Sequence, residues 1–244
     1  MKFVRGGLQM TTIRDCIAPD RNPKVPSIKL PEGSIDTHVH IFESQYPLFE
    51  GRGYNPPDST LDDLKHLHSQ LGVSRVVYTQ PSPYGVDNSA ILKGMKVMND
   101  ETPGRARGVC AIKMDVSDDF LEDLDKQGIK GVRLNMDNIG GMPIGLDEIP
   151  TLEARIKDLG WHVEYLFPGK DIVELAPIFK KSSVPISIAH FAYQPATNGI
   201  NSEGFKTLLD LVRDGNTWIK ISGANRVSET DLPPYDDVMP MARA

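Results

Sequence analysis

The stretch SIDTHVHIF, residues 34–42, decides the fold because it joins a β-strand pattern to three polar side chains. Asp36, His38 and His40 stand two residues apart within it. Alternate side chains of a strand share one face. We therefore predict a first strand that points a carboxylate and two imidazoles the same way, toward a functional site.

Apolar, β-branched segments recur along the chain and alternate with amphipathic segments. The predicted strands are residues 34–42, 75–80, 105–112, 129–135, 162–167, 185–190 and 217–222. The segment after the first strand has a cap candidate at Ser59 or Thr60, and Gly72 as its stop. Strict alternation of strand and helix predicts a parallel sheet with helical crossovers.

Two architectures fit this alternation: an open doubly wound sheet and a (β/α)₈ barrel. A doubly wound sheet often has a glycine-rich phosphate loop after its first strand, and ESQYPLFEGRGYNPP, residues 43–57, lacks that fingerprint. Polar residues instead cluster where several strands end, as in barrel enzymes. We predict an α/β fold, a TIM-type (β/α)₈ barrel over residues 34–244, preceded by an extended N-terminal arm over residues 1–33.

The strand count predicts an incomplete barrel, since seven strands are found and an eighth is missing at the C-terminus. Such a barrel would leave two strand edges unpaired, which favours association between copies and therefore a homo-oligomer.

Composition narrows the class of protein. The net charge of −6 among 244 residues argues against nucleic-acid binding, although a local basic pocket could still hold a small anion. No run of 18 apolar residues is present, so no membrane span is expected. The two cysteines, Cys16 and Cys110, are too few for a disulfide framework and predict reduced thiols in a cytoplasmic protein.

Residues at the strand ends predict the chemistry. The candidates are three histidines, His38, His40 and His190, two arginines, Arg133 and Arg226, and three hydroxyl donors, Tyr54, Thr79 and Ser82. The histidines could hold one zinc ion that activates water, or could polarise a carbonyl without a metal. The arginines predict a small carboxylate substrate, because guanidinium groups bind carboxylates in a bidentate way. Of the other histidines, His162 is predicted to be structural, and His66 and His68 to be solvated.

Five motifs in this order, IDTHVHIF, QPSPYGVDN, GVRLN, IAHF and KISGANR, resemble the amidohydrolase superfamily. The resemblance is to the amidohydrolase-related branch of 2-pyrone-4,6-dicarboxylate lactonase and D-galactarolactone isomerase. It implies a metal-independent hydrolase that opens the ring of a small carboxylated lactone. His38, His40 and His190 would polarise the carbonyl. The substrate would be held by Arg133, Arg226, Tyr54, Thr79, Ser82 and Tyr165.

The chain departs from this branch in two places. The pyrone lactonase has a further arginine after the fourth strand, whereas this chain has NMDNIGG at residues 135–141, which favours a sugar-acid or other monocarboxylate lactone. The general base of the branch, an aspartate on the eighth strand, is not found, and Asp236 and Asp237 are predicted to lie in the seventh helix. The alternatives are a lactone isomerase, a metal-dependent amidohydrolase or decarboxylase, and an inactive truncated product.

Overall fold

The computed structural model describes residues 13–136 and 144–244. Its strands are β1 (Arg14–Asp15), β2 (Ile35–Val39), β3 (Tyr54–Asn55), β4 (Arg75–Thr79), β5 (Ala106–Cys110), β6 (Ile129–Asn135), β7 (His162–Leu166), β8 (Ile186–Ile188) and β9 (Thr217–Ile219). Its α-helices are α1 (Leu61–Leu71), α2 (Ser89–Glu101), α3 (Asp118–Lys126), α4 (Ile149–Ile156), α5 (Ile172–Phe179), α6 (Glu203–Arg213) and α7 (Met239–Arg243).

Seven strands form one parallel sheet in the order β2-β4-β5-β6-β7-β8-β9. Strand order follows chain order because each helix returns the chain to the same end of the sheet. The sheet curls into a half-barrel, so the predicted incomplete TIM-type barrel is confirmed. Each of the seven predicted strands overlaps one strand of this sheet.

Local sequence signals set the helix boundaries. Helix α1 begins after Thr60, whose side chain accepts from the backbone of Asp63 while the Asp63 carboxylate accepts from the Thr60 backbone. It ends at Gly72, which has φ 75°, a left-handed conformation that favours glycine. Ser117 and Ser202 cap α3 and α6 in the same way, each accepting a backbone hydrogen bond.

The hydrophobic core lies between the outer face of the sheet and the surrounding helices. In β7, the ring of Tyr165 is 4.6 Å from that of Phe179 in α5, and Phe167 is 5.4 Å from the same ring. Trp161, just before β7, is fully buried. This apolar layer leaves the inner face of the half-barrel to polar side chains at the carboxyl ends of the strands.

A β-bulge in β2 changes which residues share a face. Asp36 pairs with Val76 of β4, but Val39 pairs with Tyr78, so β2 holds one extra residue between these two points. Asp36 therefore points outward, where its carboxylate contacts the His68 imidazole of α1 at 3.3 Å. The prediction that Asp36 shares the face of His38 is wrong because the bulge interrupts the alternation.

The described part of the N-terminal arm, residues 13–33, runs along the barrel. Its short strand β1 pairs in parallel with β3. Arg21 reaches the Asp63 carboxylate of α1 at 3.1 Å. These contacts join residues 14–21 to β3 and α1, while residues 1–12 fall outside the described part of the chain.

Within the described residues, β2 and β9 are the two end strands of the seven-stranded sheet. A cavity of about 510 Å³ is lined by Thr37 of β2 and by residues 218–221 of β9 and its continuation. Trp218 is 71% exposed and Ile221 65% exposed. No helix within the described residues has the length and apolar character needed to cross a membrane.

Candidate active site

Two histidines at the end of β2 form the first part of the candidate site. His40 places Nδ1 2.8 Å from the carbonyl oxygen of Thr79, the last residue of β4. The His38 and His40 rings have centroids 5.0 Å apart at an interplanar angle of 77°. Strand β4 thus fixes the His40 ring, and the His38 ring lies edge-on beside it.

His190 reaches the same point from β8 through an unusual turn. His190, Phe191, Ala192 and Tyr193 have φ values of 52°, 53°, 52° and 51°, in the left-handed region. Non-glycine residues enter this region at a cost of about 1–2 kcal/mol each, and such strain clusters at functional sites. The turn brings the His190 ring to 4.8 Å from that of His38, with Nδ1 2.9 Å from the Ser222 hydroxyl.

A buried charge network lies beneath the histidines. Glu164 of β7 is fully buried and accepts a hydrogen bond from the Lys220 ammonium. Its other carboxylate oxygen lies 3.5 Å from Nε of Arg133. Arg133 also donates from a terminal nitrogen to the Gln80 carbonyl at 2.9 Å. One carboxylate therefore compensates two cations, leaving a local excess of positive charge.

Five buried side-chain atoms at or beside this network have no hydrogen-bond partner, although two of them, Arg133 Nε and Glu164 Oε1, lie 3.5 Å apart as an ion pair. Within the described chain they are His38 Nε2, Thr79 Oγ1, Gln80 Oε1, Arg133 Nε and Glu164 Oε1. Buried polar groups are nearly always paired, so a concentration of exceptions in one place indicates a site for a polar ligand or water. These atoms supply both donors and acceptors, as an oxygen-rich substrate would need.

The three imidazoles are neutral at pH 7. Burial and the Arg133 guanidinium lower the pKa of His40 to about 3. Burial and then Arg226 lower that of His190 to about 4. Burial and the neighbouring His40 and Lys220 also lower the pKa of His38.

Glu164 is ionised for a different reason. Burial acts to raise the pKa of its carboxyl group, but Lys220 and Arg133 outweigh burial and hold this pKa below its ordinary value. The site therefore combines neutral imidazoles with fixed charges beneath them.

A polar rim surrounds the histidines. Tyr54 of β3 is half-buried and hydrogen-bonds the side chain of Ser82, which is buried. The Arg226 guanidinium lies 5.9 Å from the centre of the Tyr193 ring. Arg226 is exposed whereas Arg133 is 4% exposed, so one arginine lies at the mouth and the other at depth.

Gly223 allows the approach between β9 and the His190 turn. Its φ is 65°, and a Cβ at this position would lie 3.1 Å from Nδ1 of His190. A side chain would therefore be strained by the backbone and would also press on the imidazole.

Most sequence-predicted residues meet at this site, and Tyr165 does not. The residues brought to it are His38, His40, His190, Tyr54, Thr79, Ser82, Arg133 and Arg226. Tyr165 faces the opposite side of β7 and packs against Phe179 in the core. This position corrects the expectation that Tyr165 contacts the substrate.

Other histidines and acids also have defined places. His68 is 1% exposed and pairs with Asp36, so the prediction of a solvated side chain is wrong for His68, while His66 is exposed as predicted. His162, at the start of β7, contacts the Lys130 carbonyl at 2.8 Å, as a structural residue would. Asp237 lies in a short 3₁₀ turn before α7, where it accepts from Ser228. The segment after β6, where the sequence has no counterpart of the pyrone lactonase's further arginine, includes residues 137–143, which lie outside the described part of the chain.

Sequence reasoning missed Lys220 and assigned no role to Glu164. Lys220 and Ser222 are two residues apart in KIS, residues 220–222, so in an extended chain they share one face. A Ser222 side chain at the site therefore predicts that Lys220 is there as well. The same spacing relates Glu164 to His162 in HVE, residues 162–164.

A search of the described residues finds no group of three or more His, Cys, Asp or Glu side chains arranged to hold a metal ion. The Nε2 atoms of His38 and His40 have the chemistry of metal ligands. The Lys220 and Arg133 charges beside them disfavour a divalent cation and favour an anion.

A parallel half-barrel with histidines at the carboxyl ends of its strands and arginines around them has the arrangement of a barrel enzyme's active site. The chain belongs to the amidohydrolase family, whose model, "Amidohydrolase", matches residues 35–244. It is 34% identical to a 2-pyrone-4,6-dicarboxylate hydrolase of Comamonas testosteroni, over 91% of this chain and 75% of that protein. It is 32% identical to a 4-sulfomuconolactone hydrolase of Hydrogenophaga intermedia, over 93% of this chain and 75% of the relative.

Two further relatives extend the comparison. A D-galactarolactone isomerase of Agrobacterium fabrum is 28% identical over 89% of this chain and 73% of its own length. A crystal structure described as a probable 2-pyrone-4,6-dicarboxylic acid hydrolase of Acinetobacter baumannii, with citric acid bound, superposes with a TM-score of 0.73. It is 28% identical and the match covers 86% of this chain and 76% of that chain. Lactone chemistry is therefore common to the named relatives.

Proposed function

We propose that this protein is a hydrolase that opens the ring of a small carboxylated lactone. The observation that carries the proposal is the convergence of neutral His38, His40 and His190 above the buried Arg133, with unpaired polar atoms among them. The relatives named for 2-pyrone-4,6-dicarboxylate and 4-sulfomuconolactone support it, since both substrates are lactones bearing acidic groups.

The substrate follows from the charges. Arg133 at depth and Arg226 at the mouth provide two guanidinium groups for carboxylates, and Glu164 neutralises only part of the buried positive charge. Tyr54, Thr79 and Ser82 add hydroxyl groups for ring and exocyclic oxygens. A lactone with one or two carboxylates matches this arrangement, because the positive charge of the arginines exceeds what Glu164 neutralises.

The reaction is ordinary ester hydrolysis. Water attacks the lactone carbonyl carbon, and the carbonyl oxygen becomes an oxyanion that an imidazole N–H stabilises by a hydrogen bond. The ring C–O bond then breaks, and the leaving oxygen takes a proton derived from the water. The products are a carboxylate and a hydroxyl group on one open-chain molecule, and the second proton of the water is released to solvent. Neutral imidazoles suit this role because they donate without carrying a charge that would repel the arginines.

Metal independence is part of the proposal. It is supported by the excess positive charge from Lys220 and Arg133 beside the histidines, which a divalent cation would have to overcome. The competing proposal places one zinc ion on His38, His40 and His190, where it would polarise the carbonyl.

The test is turnover of a lactone panel by chelator-treated protein. The panel holds 2-pyrone-4,6-dicarboxylate, aldaric and aldonic lactones and one uncharged lactone, with products resolved by NMR. We expect an open-chain acid from a carboxylated member and the same rate after chelation. Loss of the rate on chelation, with recovery on adding zinc, would establish the metal-dependent alternative.

A substitution separates binding from background hydrolysis. Arg133→Gln should raise KM for the carboxylated lactone at least tenfold and leave hydrolysis of the uncharged lactone unchanged. The matched control is Arg213→Gln, whose side chain is 70% exposed and pairs with nearby Asp210. Equal effects of the two substitutions would contradict the assigned role of Arg133.

Isomerisation is the second candidate, because D-galactarolactone isomerase is among the relatives. It begins at the same polarised carbonyl, but a substrate hydroxyl attacks in place of water. A ring isomer in the NMR spectrum, without incorporation of ¹⁸O from labelled water, would identify it.

Two broader expectations are also proposals. Cytoplasmic location is supported by Cys16 and Cys110, which are both unbridged thiols. Association of copies is supported by the exposed Trp218 and Ile221 beside β9. Cell fractionation and light scattering after size exclusion would test them.

A further inference from the structure

The Lys220 ammonium has a complete set of acceptors. It donates to Glu164 Oε2, to the Thr37 carbonyl at 3.0 Å and to Nδ1 of His38 at 3.0 Å. An ammonium group carries three N–H donors and no acceptor, so each of its protons has one partner. Lys220 is 12% exposed and comes from β9, at the opposite end of the sheet from His38.

This contact decides where the proton of His38 lies. Lysine can only donate, so Nδ1 of His38 must accept, and a neutral imidazole then carries its proton on Nε2. Nε2 is the nitrogen that is buried without a partner. His38 thus presents an N–H donor that no protein group uses.

His40 has the opposite arrangement. Its Nδ1 lies 2.8 Å from the Thr79 carbonyl oxygen, which can only accept. Nδ1 must therefore carry the proton, which leaves a lone pair on Nε2. Two histidines separated by one residue are held as different tautomers by neighbours on different strands.

We propose that Lys220 is a positioning residue that fixes His38 as the hydrogen-bond donor to the substrate carbonyl, while the Thr79 carbonyl fixes His40 in the other tautomer, with an acceptor at Nε2. The assignment rests on the proposed lactone chemistry for its substrate, but the tautomers rest on the hydrogen bonds alone. The two histidines would then have different hydrogen-bonding roles, which their shared sequence motif does not distinguish.

Glu164 supplies the competing arrangement. Its Oε1 lies 3.6 Å from Nδ1 of His38, beyond a normal hydrogen bond but near enough to become one after a small movement. If Nδ1 donated to this carboxylate, Nε2 would have a lone pair and could not stabilise an oxyanion. Lys220 prevents this by donating hydrogen bonds both to the Glu164 carboxylate and to Nδ1 of His38.

The first test is the tautomer itself, read from protein labelled with ¹⁵N at histidine. Long-range ¹H–¹⁵N spectra distinguish the two neutral forms, and loss of one signal in His38→Gln assigns that residue among the six histidines. We expect protonated Nε2 for His38 and protonated Nδ1 for His40. Protonated Nδ1 on His38 in the unmodified protein would overturn the proposal.

The second test removes the donor. Lys220→Met should shift His38 toward the form with Nδ1 protonated, and should lower kcat about 10²-fold with KM changed less than about threefold. Lys220→Arg retains donors and should keep the Nε2–H form. Lys126→Met, at a lysine 70% exposed on α3, is the matched control and should change neither quantity.

Folding failure is addressed by a paired variant. Lys220→Met leaves Glu164 without its main partner, so Lys220→Met with Glu164→Gln removes both charges together. It also removes the carboxylate that would accept the Nδ1 proton of His38, and should therefore lower kcat less than Lys220→Met alone. An unchanged His38 tautomer in both variants would refute the role of Lys220. If no lactone is turned over by the unmodified protein but the tautomers are as assigned, the proposed function fails, and what stands for Lys220 is that it fixes the His38 tautomer.

Discussion

Replacing Glu164 with glutamine tests the buried network by its effect on stability. Glu164 is fully buried between Lys220 and Arg133, which are 12% and 5% exposed. Removing one partner of a buried ion pair costs about 3–5 kcal/mol, because a charge is left uncompensated. Glutamine keeps a carbonyl oxygen for Lys220, so we expect the lower figure, about 3 kcal/mol.

The assay is urea unfolding at pH 7.5, followed by circular dichroism, with thermal unfolding beside it. For a chain of this size, about 3 kcal/mol corresponds to a Tm lower by about 6–12 °C. The matched control is Glu174→Gln on the exposed face of α5, which should change the free energy of unfolding by less than about 0.5 kcal/mol.

A double substitution sharpens the result. Glu164→Gln with Lys220→Met removes both members of the pair and should be less destabilising than the sum of the two single changes. If Glu164→Gln costs less than about 1 kcal/mol, the network is not the tight, desolvated arrangement described, and the reasoning about Lys220 loses its structural basis.

Three further predictions concern the rim, the turn and pH. Tyr54→Phe should raise KM for the lactone several-fold. Tyr165→Phe should leave steady-state kinetics unchanged, since Tyr165 packs on Phe179. Equal effects of the two substitutions would place both tyrosines at the site. Gly223→Ala and Gly72→Ala should each cost about 1–2 kcal/mol for positive φ, but only Gly223→Ala should lower kcat, because only there would a Cβ press on His190. His40 and His190, with pKa values of about 3 and 4 against 6.5 unfolded, bind protons mainly when unfolded. Stability should therefore fall as pH drops below about 6.5, by up to about 1.4 kcal/mol per pH unit for each, and urea titrations of His40→Gln should show a shallower slope.

The sequence by itself determined the order of elements and most of the candidate residues. Alternating apolar segments and helix caps such as Thr60 are local signals, read within one turn or strand. Parallel strands also bring their carboxyl ends to one edge, so His38, Arg133 and His190 could be grouped before any contact was known.

Tertiary structure decided which way these groups point and what their partners are. The bulge in β2 turned Asp36 toward α1. No local sequence pattern predicts this bulge, because it arises from the pairing of β2 with β4. Lys220 contacts His38 across 182 positions of the chain. A tautomer depends on such a contact, since the donor or acceptor at Nδ1 comes from a strand that only the curled sheet brings near.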